Sequence, residues 1–386
     1  MKFFHIGDLH FGKMLNGFSL LEDQEYFIDR LFDAVEKEQP DAILIAGDVF
    51  DRSQSSGDAK RLYDKLLCGL SDRKVSTFVI SGNHDSARLI AMASDVLSKS
   101  GIFTSRVFDG ELQCVSLSDE YGPVNVWLLP YVTRADIRSA FAGCEGEADY
   151  DSISSYTDAF KFLISKQPVD FSERNVIVAH QFLANASTSD SEVSVGTLDN
   201  IDPSVFYGFD YVAMGHIHRP QKIEKDYIRY AGSPLKYSKS EANGDKSICV
   251  IEIKAKGDLN IGFIPVTPRR DVRVIRGTVD SLLDKPTYEG TNVDDYIFAE
   301  LKDETEVLEV MPKLRGVYPN IMGVQYVNLG RTADKEEFES LSSAVESKSP
   351  LELFEEFFEL QLGKEMTGEQ SDFMNKTVRE VWEGDR

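Results

Sequence analysis

Five short clusters carry the residue types that could do chemistry: Gly7-Asp8-Leu9-His10, Gly47-Asp48-Val49-Phe50-Asp51, Gly82-Asn83-His84-Asp85, Ala179-His180 and Gly215-His216-Ile217-His218. The chain has six histidines, and five of them lie in these clusters. Aspartate, histidine and asparagine without a cysteine suit a hard-to-borderline divalent cation rather than a structural zinc. Seven candidate ligands are too many for one ion and suit two that share a bridge, the arrangement that stabilises attacking and leaving oxygens in phosphoryl transfer. Taken singly, each cluster has a plainer reading: Asp-x-His as a capping Asp and a surface His, Gly-Asp-x-x-Asp as a turn, Gly-His-Ile-His as an edge strand. The clusters in this order, each just after an apolar run, favour the metal centre. The sixth histidine, His5, lies inside the first apolar run and reads as a packed core residue.

Loops at strand C-termini are where α/β folds place their sites, and the glycines allow sharp turns there. Apolar runs at 3–6, 42–46, 75–80, 126–129, 176–179 and 211–214 read as strands. Helical patterns fall at 20–38, where Ser19 and Glu22 form a capping box, at 58–70 and at 86–98. Two layers of sheet flanked by helices is the simplest packing of so many strands. After about residue 270 the texture changes: strands at 272–275, 296–301 and 324–328 with a helix at 307–315 suggest a small α+β domain. Residues 331–350 read as a polar linker, followed by amphipathic helices at 351–362 and 371–382.

At 386 residues with 42% hydrophobic side chains, the chain is large enough for two or three domains and is not globally disordered. No apolar run approaches the length of a membrane span, and His5, Asp8 and His10 stand where a signal peptide would need apolar residues. Cys68, Cys114, Cys144 and Cys249 are far apart, which fits a reducing, cytoplasmic setting. The net charge of −23 lowers the expectation of nucleic-acid binding, yet residues 219–280 carry 13 Lys and Arg against 8 Asp and Glu. Arg219, Lys222, Arg229, Lys236 and Lys239, with Arg52 beside the second cluster, are candidate phosphate contacts or simply a solvated face.

The series D-x-H, G-D-x-x-D, G-N-H-D, H and G-H-x-H resembles the calcineurin-like metallophosphoesterase superfamily. That resemblance implies a two-sheet β-sandwich of the α/β class flanked by helices, with a dinuclear centre at the strand ends. By the same carry-over, Asp8, His10, Asp48 and His218 would hold one metal, and Asn83, His180 and His216 would hold the second, with Asp48 bridging. His84 would be the catalytic imidazole, oriented by Asp51 or, in reserve, Asp85. The stretches YAGSPLKYSK at 230–239 and SPLELFEEFFELQLG at 349–363 narrow the resemblance to the SbcD family of bacterial nuclease subunits.

That family resemblance implies a nuclease domain over 1–270, a small α+β cap over 271–330, a linker over 331–350 and C-terminal helices over 351–386. It also implies a manganese-dependent (or magnesium-dependent) exo- and endonuclease acting on DNA ends and hairpins in recombination, replication and repair. The partners would be a second copy of the chain, through the helices at 58–70 and 86–98, and an SbcC-type coiled-coil ATPase. Leu353, Phe354, Phe357, Phe358 and Leu360 are the anchors expected to dock on that ATPase, the competing reading being that they pack on the chain itself. No P-loop pattern occurs in the chain, so any ATP dependence must come from the partner. The other enzyme reading is a phosphoprotein phosphatase or nucleotide phosphohydrolase, although Ser53 and Asp85 depart from the phosphatase pattern. A non-catalytic scaffold is the third, and it is disfavoured by the intact ligand set.

Overall fold

The computed structural model describes residues 1–143, 153, 155–190, 192, 200–327, 350–362 and 366–382. The chain divides into two compact units, Met1–Arg273 and Val274–Arg386. The expected linker at 331–350 lies outside the described residues apart from Pro350, and Cys144 is outside them too.

In the first unit, strands β1 (Lys2–Ile6), β4 (Ala42–Ala46), β5 (Ser76–Ile80) and β6 (Ile102–Thr104) run parallel, and β13 (Ser247–Ile253) and β14 (Leu259–Pro265) add two antiparallel strands beyond β1. A hairpin of β2 (Met14–Leu15) and β3 (Phe18–Ser19) follows the first cluster. The second sheet has the order β11-β12-β10-β9-β8-β7, built from β7 (Gln113–Asp119), β8 (Gly122–Leu129), β9 (Arg174–His180), β10 (Tyr211–Gly215), β11 (Gln221–Ile223) and β12 (Lys225–Tyr230). The central strands β1, β4, β9 and β10 are buried on both faces, so they read as continuous apolar runs.

Side chains alternate between two cores. Phe3, Leu44, Phe78, Val126, Val178, Tyr211 and Ile251 fill the space between the sheets. On the outer face of the first sheet, Phe4, Ile43, Ile45 and Val79 pack under α1 (Leu21–Glu38) and α2 (Gly57–Asp72) through Phe27, Leu31, Leu66 and Leu70. Burying one such aliphatic or aromatic side chain contributes about 1.5–3 kcal/mol. This two-sheet sandwich is the architecture expected from the sequence.

Two local expectations fail. Helix α1 is capped at Leu20 with no side-chain hydrogen bond, so the Ser19 and Glu22 box does not form; the Ser19 hydroxyl instead accepts from Leu21 N at 3.4 Å. The helix expected at 86–98 breaks into single turns, Ala87–Ile90 and Ser94–Leu97, because Ala93 adopts a left-handed φ of 58°.

In the second unit, β15 (Val272–Gly277) with β16 (Tyr296–Leu301) and β17 (Ile321–Tyr326) form a three-stranded sheet, β16 and β17 running parallel. Val279, Leu282, Leu314 and Tyr318 cover it. Helices Pro350–Leu362 and Gly368–Trp382 follow, joined by Ser371 Oγ donating to Glu355 Oε1 at 2.7 Å. Among the described residues no helix is long and apolar enough to cross a membrane.

Candidate metal centre

The C-terminal ends of β1, β4, β5, β9 and β10 deliver all five clusters to one place, where the two sheets meet. The first two loops zip together: Asp8 N donates to Gly47 O at 3.1 Å, His10 N to Asp48 O at 2.9 Å and Phe11 N to Val49 O at 2.8 Å. Four candidate ligands sit in the left-handed region, with φ of 53° at Asp8, 45° at His10, 47° at Asp48 and 103° at His216. Such backbone costs about 1–3 kcal/mol per residue and persists only where the surroundings enforce it.

The glycines are needed here for space more than for turning. A Cβ on Gly82 would overlap the Asp48 carboxylate, and one on Gly215 would overlap the Ala46 carbonyl, although neither glycine has a positive φ. Gly47 combines both demands, with φ 82° and the His180 ring in the way of any Cβ.

Two side-chain groups converge around Asp48. His10 Nε2 and His218 Nε2 face each other at 3.0 Å, and Asp8 joins them within ligand distance. Asn83 Oδ1 lies 2.9 Å from His180 Nε2 and 3.0 Å from His216 Nδ1. Asp48 Oδ2 stands between the groups, 3.7 Å from His10 Nε2 and 3.5 Å from His180 Nε2. His180 Nδ1 is 2.8 Å from Ala46 O; a carbonyl only accepts, so Nδ1 carries the proton and Nε2 presents its lone pair inward.

Electrostatics fit cation binding. Burial drives His10 well below the ordinary imidazole range and His216 to about 3, so both are neutral, the ligating form. Burial raises Asp8 to about 6. Burial also opposes the charge on Asp48, but His180 and then His10 outweigh it and hold that carboxyl below the usual range. Asp48 and Asp8 overcome the burial that would lower His180 and lift it to about 9, so without a cation a second proton takes the Nε2 lone pair, and a bound cation would displace it. Among the described residues Asp8 Oδ2 is buried with no hydrogen-bond partner, an expensive state that a coordinated cation would relieve. The all-oxygen-and-nitrogen donor set suits one or two such ions.

His84 borders the first group, its ring 4.9 Å from that of His10 and edge-on to it. Its orienting contact differs from the expectation. His84 Nδ1 lies 2.9 Å from the main-chain oxygen of Asp51, while the Asp51 carboxylate pairs with Lys13 at 2.8 Å and comes within 3.6 Å of His10 Nδ1. Asp85 does not reach His84 at all. Its carboxylate accepts from Gly82 N at 2.9 Å, Phe50 N at 2.8 Å and Val49 N at 3.1 Å, tying two of the loops together. Burial and the nearby Asp48 raise it to about 6.

The candidate phosphate contacts separate into two kinds. Lys236 is tied to Asp271 at 2.9 Å and to Ala242 O at 2.8 Å, and so is committed to structure. Lys222 pairs with Asp226 at 2.6 Å, Arg229 donates to Asp226 O at 3.0 Å and stacks on Phe263, and Lys239 is half-buried with partners of its own. Arg52 and Arg219 are exposed. Arg219 lines, with Ser240, Asn243 and Asp245, a cleft of about 380 Å³. In the C-terminal helix Phe357 is half exposed and Phe354 and Phe358 are partly buried, while the side chains of Leu353 and Leu360 lie outside the described residues.

The sequence carried no sign of the groups that hold the candidate ligands in place. Gln24 Nε2 donates to His10 O at 2.7 Å and Gly12 N to Gln24 Oε1 at 3.0 Å; Tyr237, Glu241 and Lys246 stand behind His218. The one available signal was the stretch at 230–239, which carried the family resemblance and two candidate phosphate contacts but no sign that it supports the candidate ligands.

Residues 1–220 match the family model described as calcineurin-like phosphoesterase, and residues 268–361 match the one described as type 5 capsule protein repressor C-terminal domain. Over 330 residues the chain is 32% identical to SbcD, a subunit of the nuclease SbcCD, from Staphylococcus epidermidis, covering 85% of this chain and 86% of that protein. Among solved structures, a dimetal phosphatase from Danio rerio is 12% identical over 69% of this chain and 98% of its own, with a TM-score of 0.41. Yfce, a phosphoesterase from E. coli, is 12% identical over 69% of this chain and 100% of its own, with a TM-score of 0.27.

Proposed function

The chain belongs to the SbcD family of SbcCD nuclease subunits, within the calcineurin-like phosphoesterases, and on that premise we propose that it is a metal-dependent DNA nuclease. Its activities would be 3′–5′ exonuclease on duplex ends and endonuclease on single strands and hairpins, serving recombination, replication and repair. The observation that carries the reading is the placement of Asp48, one carboxylate oxygen between two groups of histidine and amide donors.

Asp8, His10, Asp48 and His218 would hold one divalent cation and Asp48, Asn83, His180 and His216 the other. Manganese suits these nitrogen and oxygen donors, with magnesium as the second choice. Bound there, two cations would polarise the phosphodiester, activate water and neutralise charge on both the attacking and leaving oxygens. The chain's own contribution begins with His84. With Nδ1–H given to the Asp51 carbonyl, the imidazolium form would turn its Nε2–H toward the departing sugar oxygen and deliver that proton or a hydrogen bond as the bond breaks. Asp48 Oδ1 accepts from His84 N at 2.8 Å, so the bridging residue also fixes the loop that carries this imidazole. Arg52 and Arg219, exposed beside the second and last clusters, would seat neighbouring phosphates without reading sequence.

The partners follow from the same family. An SbcC-type ATPase would dock on the C-terminal helices over 351–386, joined by the linker at 331–350 to a cap over 271–330 and a nuclease domain over 1–270. The half-exposed Phe357 and the exposed Phe373 support that docking. A second copy would pair through the helices around 58–70 and 87–97, where Met92 and Val96 are exposed, giving a homodimer within a heterotetramer. Free Cys68, Cys114 and Cys249 agree with a cytoplasmic setting.

The test compares three substrates with manganese present: duplex DNA, a bare phosphodiester and a phosphopeptide. Cleavage of DNA and of the diester without phosphopeptide turnover is expected. Turnover of the phosphopeptide alone would transfer the chain to the phosphatases.

A further inference from the structure

The stretch from Tyr230 to Lys246 supplies no ligand, yet it closes around two of them. Tyr237 Oη donates to Leu9 O at 2.6 Å, and its ring stands edge-on to His10 and His218 at centroid distances of 5.5 and 5.6 Å. Gly232, at φ 76°, passes so near that a Cβ would lie 2.7 Å from His218 O. That oxygen accepts from Ser233 N at 3.1 Å and from Lys246 Nζ at 2.8 Å. Lys246 also donates to Ser233 Oγ at 2.7 Å and to Glu241 Oε2 at 2.5 Å. Glu241 Oε1 accepts from Ser238 Oγ at 3.0 Å and Tyr237 N at 3.3 Å, and it lies 3.8 Å from His218 Nδ1. On the other side Glu192 Oε1 is 3.9 Å from the same nitrogen and accepts from His218 N.

Glu241 and Lys246 are only 5% and 8% exposed. A buried ion pair is a poor stabiliser, because desolvating both charges offsets much of their attraction and an apolar filling would serve the fold as well. Its placement suggests a different task. A histidine offers a lone pair from one ring nitrogen when the other carries the proton, and an acceptor beside that proton decides which nitrogen is which.

We propose that Glu241 is a positioning residue of the metal centre: its carboxylate, braced by Lys246, keeps the His218 proton on Nδ1 and turns Nε2 toward the cation shared with His10. A lysine-held carboxylate also stands near His10: the Asp51 carboxylate, which Lys13 holds at 2.8 Å, is 3.6 Å from His10 Nδ1, beyond hydrogen-bond distance. His180, in the other group, leans on a main-chain carbonyl instead. Lysine-braced carboxylates therefore stand near the His10 and His218 group, whereas a main-chain carbonyl stands behind His180.

The inference rests on the dinuclear reading above, and manganese titration of the full-length chain separates the two. Fewer than two ions per wild-type chain would remove the dinuclear reading itself. With two bound, Glu241→Gln keeps an acceptor oxygen and should weaken one ion by a few-fold. Glu241→Gln with Lys246→Met removes both charges together, avoids a stranded buried lysine, and should weaken that same ion by about 10–100-fold, the usual cost of losing a partner behind a ligand. The second ion should bind as in the wild type, and the melting temperature of the metal-free double variant should stay near that of the parent. Wild-type affinity for both ions in the double variant, with or without a lower melting temperature, would make the pair purely structural and overturn the proposal.

Discussion

His84 Nδ1 sits 2.9 Å from the main-chain oxygen of Asp51, so a peptide carbonyl aims this imidazole and the Asp51 carboxylate is free to serve Lys13 and His10. The two roles come apart on substitution. His84→Ala should lower turnover by about 10²–10⁴-fold, the usual range for general acid–base catalysis, and leave two manganese ions per chain. Asp51→Asn keeps the carbonyl, so it should spare the His84 step and act instead through weaker metal binding, visible as activity restored by excess manganese. Loss of an ion in His84→Ala would make His84 a ligand. An Asp51→Asn defect that no manganese concentration relieves would return the orienting role to the carboxylate.

Asp48 has two duties that different replacements distinguish. Its Oδ2 lies between the histidine groups, and its Oδ1 accepts from His84 N at 2.8 Å. Asp48→Ala removes both and should abolish hydrolysis, with fewer than two ions retained. Asp48→Asn can keep the loop contact but loses the charge between the sites, so it too should be inactive, with the fold intact by circular dichroism. Manganese-dependent activity near the wild-type level in either variant would rule out the bridge.

The parts legible in the sequence share a physical cause. Strands such as Ala42–Ala46 and Ser76–Ile80 are buried on both faces and stand out as apolar runs, and the candidate ligands follow directly at their ends. Strands β7 and β14 have one exposed face, so their polar alternation hid them. Lys236 shows its charge in the sequence but not its partner Asp271, 35 residues away. Glu241 and Lys246 were invisible for the same reason, since the loop that brings them behind His218 has no periodicity to read. The break at Ala93 carries no glycine or proline to announce it.

The C-terminal helices yield a separable prediction. Phe357 is half exposed on helix Pro350–Leu362 and Phe373 is exposed on helix Gly368–Trp382, an apolar cost in water that a partner would remove. Ending the chain near residue 340 should leave metal-dependent phosphodiesterase activity while removing the coiled-coil ATPase from pull-downs. Phe357→Asp with Phe373→Asp should do the same in the full-length chain. An ATPase that still co-purifies with the truncated chain would place the interface elsewhere.

His5, outside the metal centre, sets an acid limit on stability. It is fully buried, with Nδ1 2.9 Å from Tyr211 Oη and Nε2 3.2 Å from Met214 O. Burial pushes its pKa from 6.5 down to about 3; the Met214 carbonyl opposes that, and the charge of Arg229 adds to it. The unfolded chain takes up this proton as pH falls through 6.5, while the folded chain refuses it until about 3. In that window the unfolded state binds more protons, so folding stability falls with pH. The loss is complete near pH 3 and on the order of 5 kcal/mol in all, of which roughly 2 kcal/mol should already be gone by about pH 5. His5→Gln can keep polar contacts with no proton to gain. Urea denaturation of both proteins, metal-free, at about pH 7.5 and about pH 5 isolates the effect, because every other titrating group is common to the pair. The wild type should lose roughly 2 kcal/mol more than the variant between those values, whatever their absolute stabilities. Equal losses would mean that His5 is protonated inside the fold and that another group sets the acid limit.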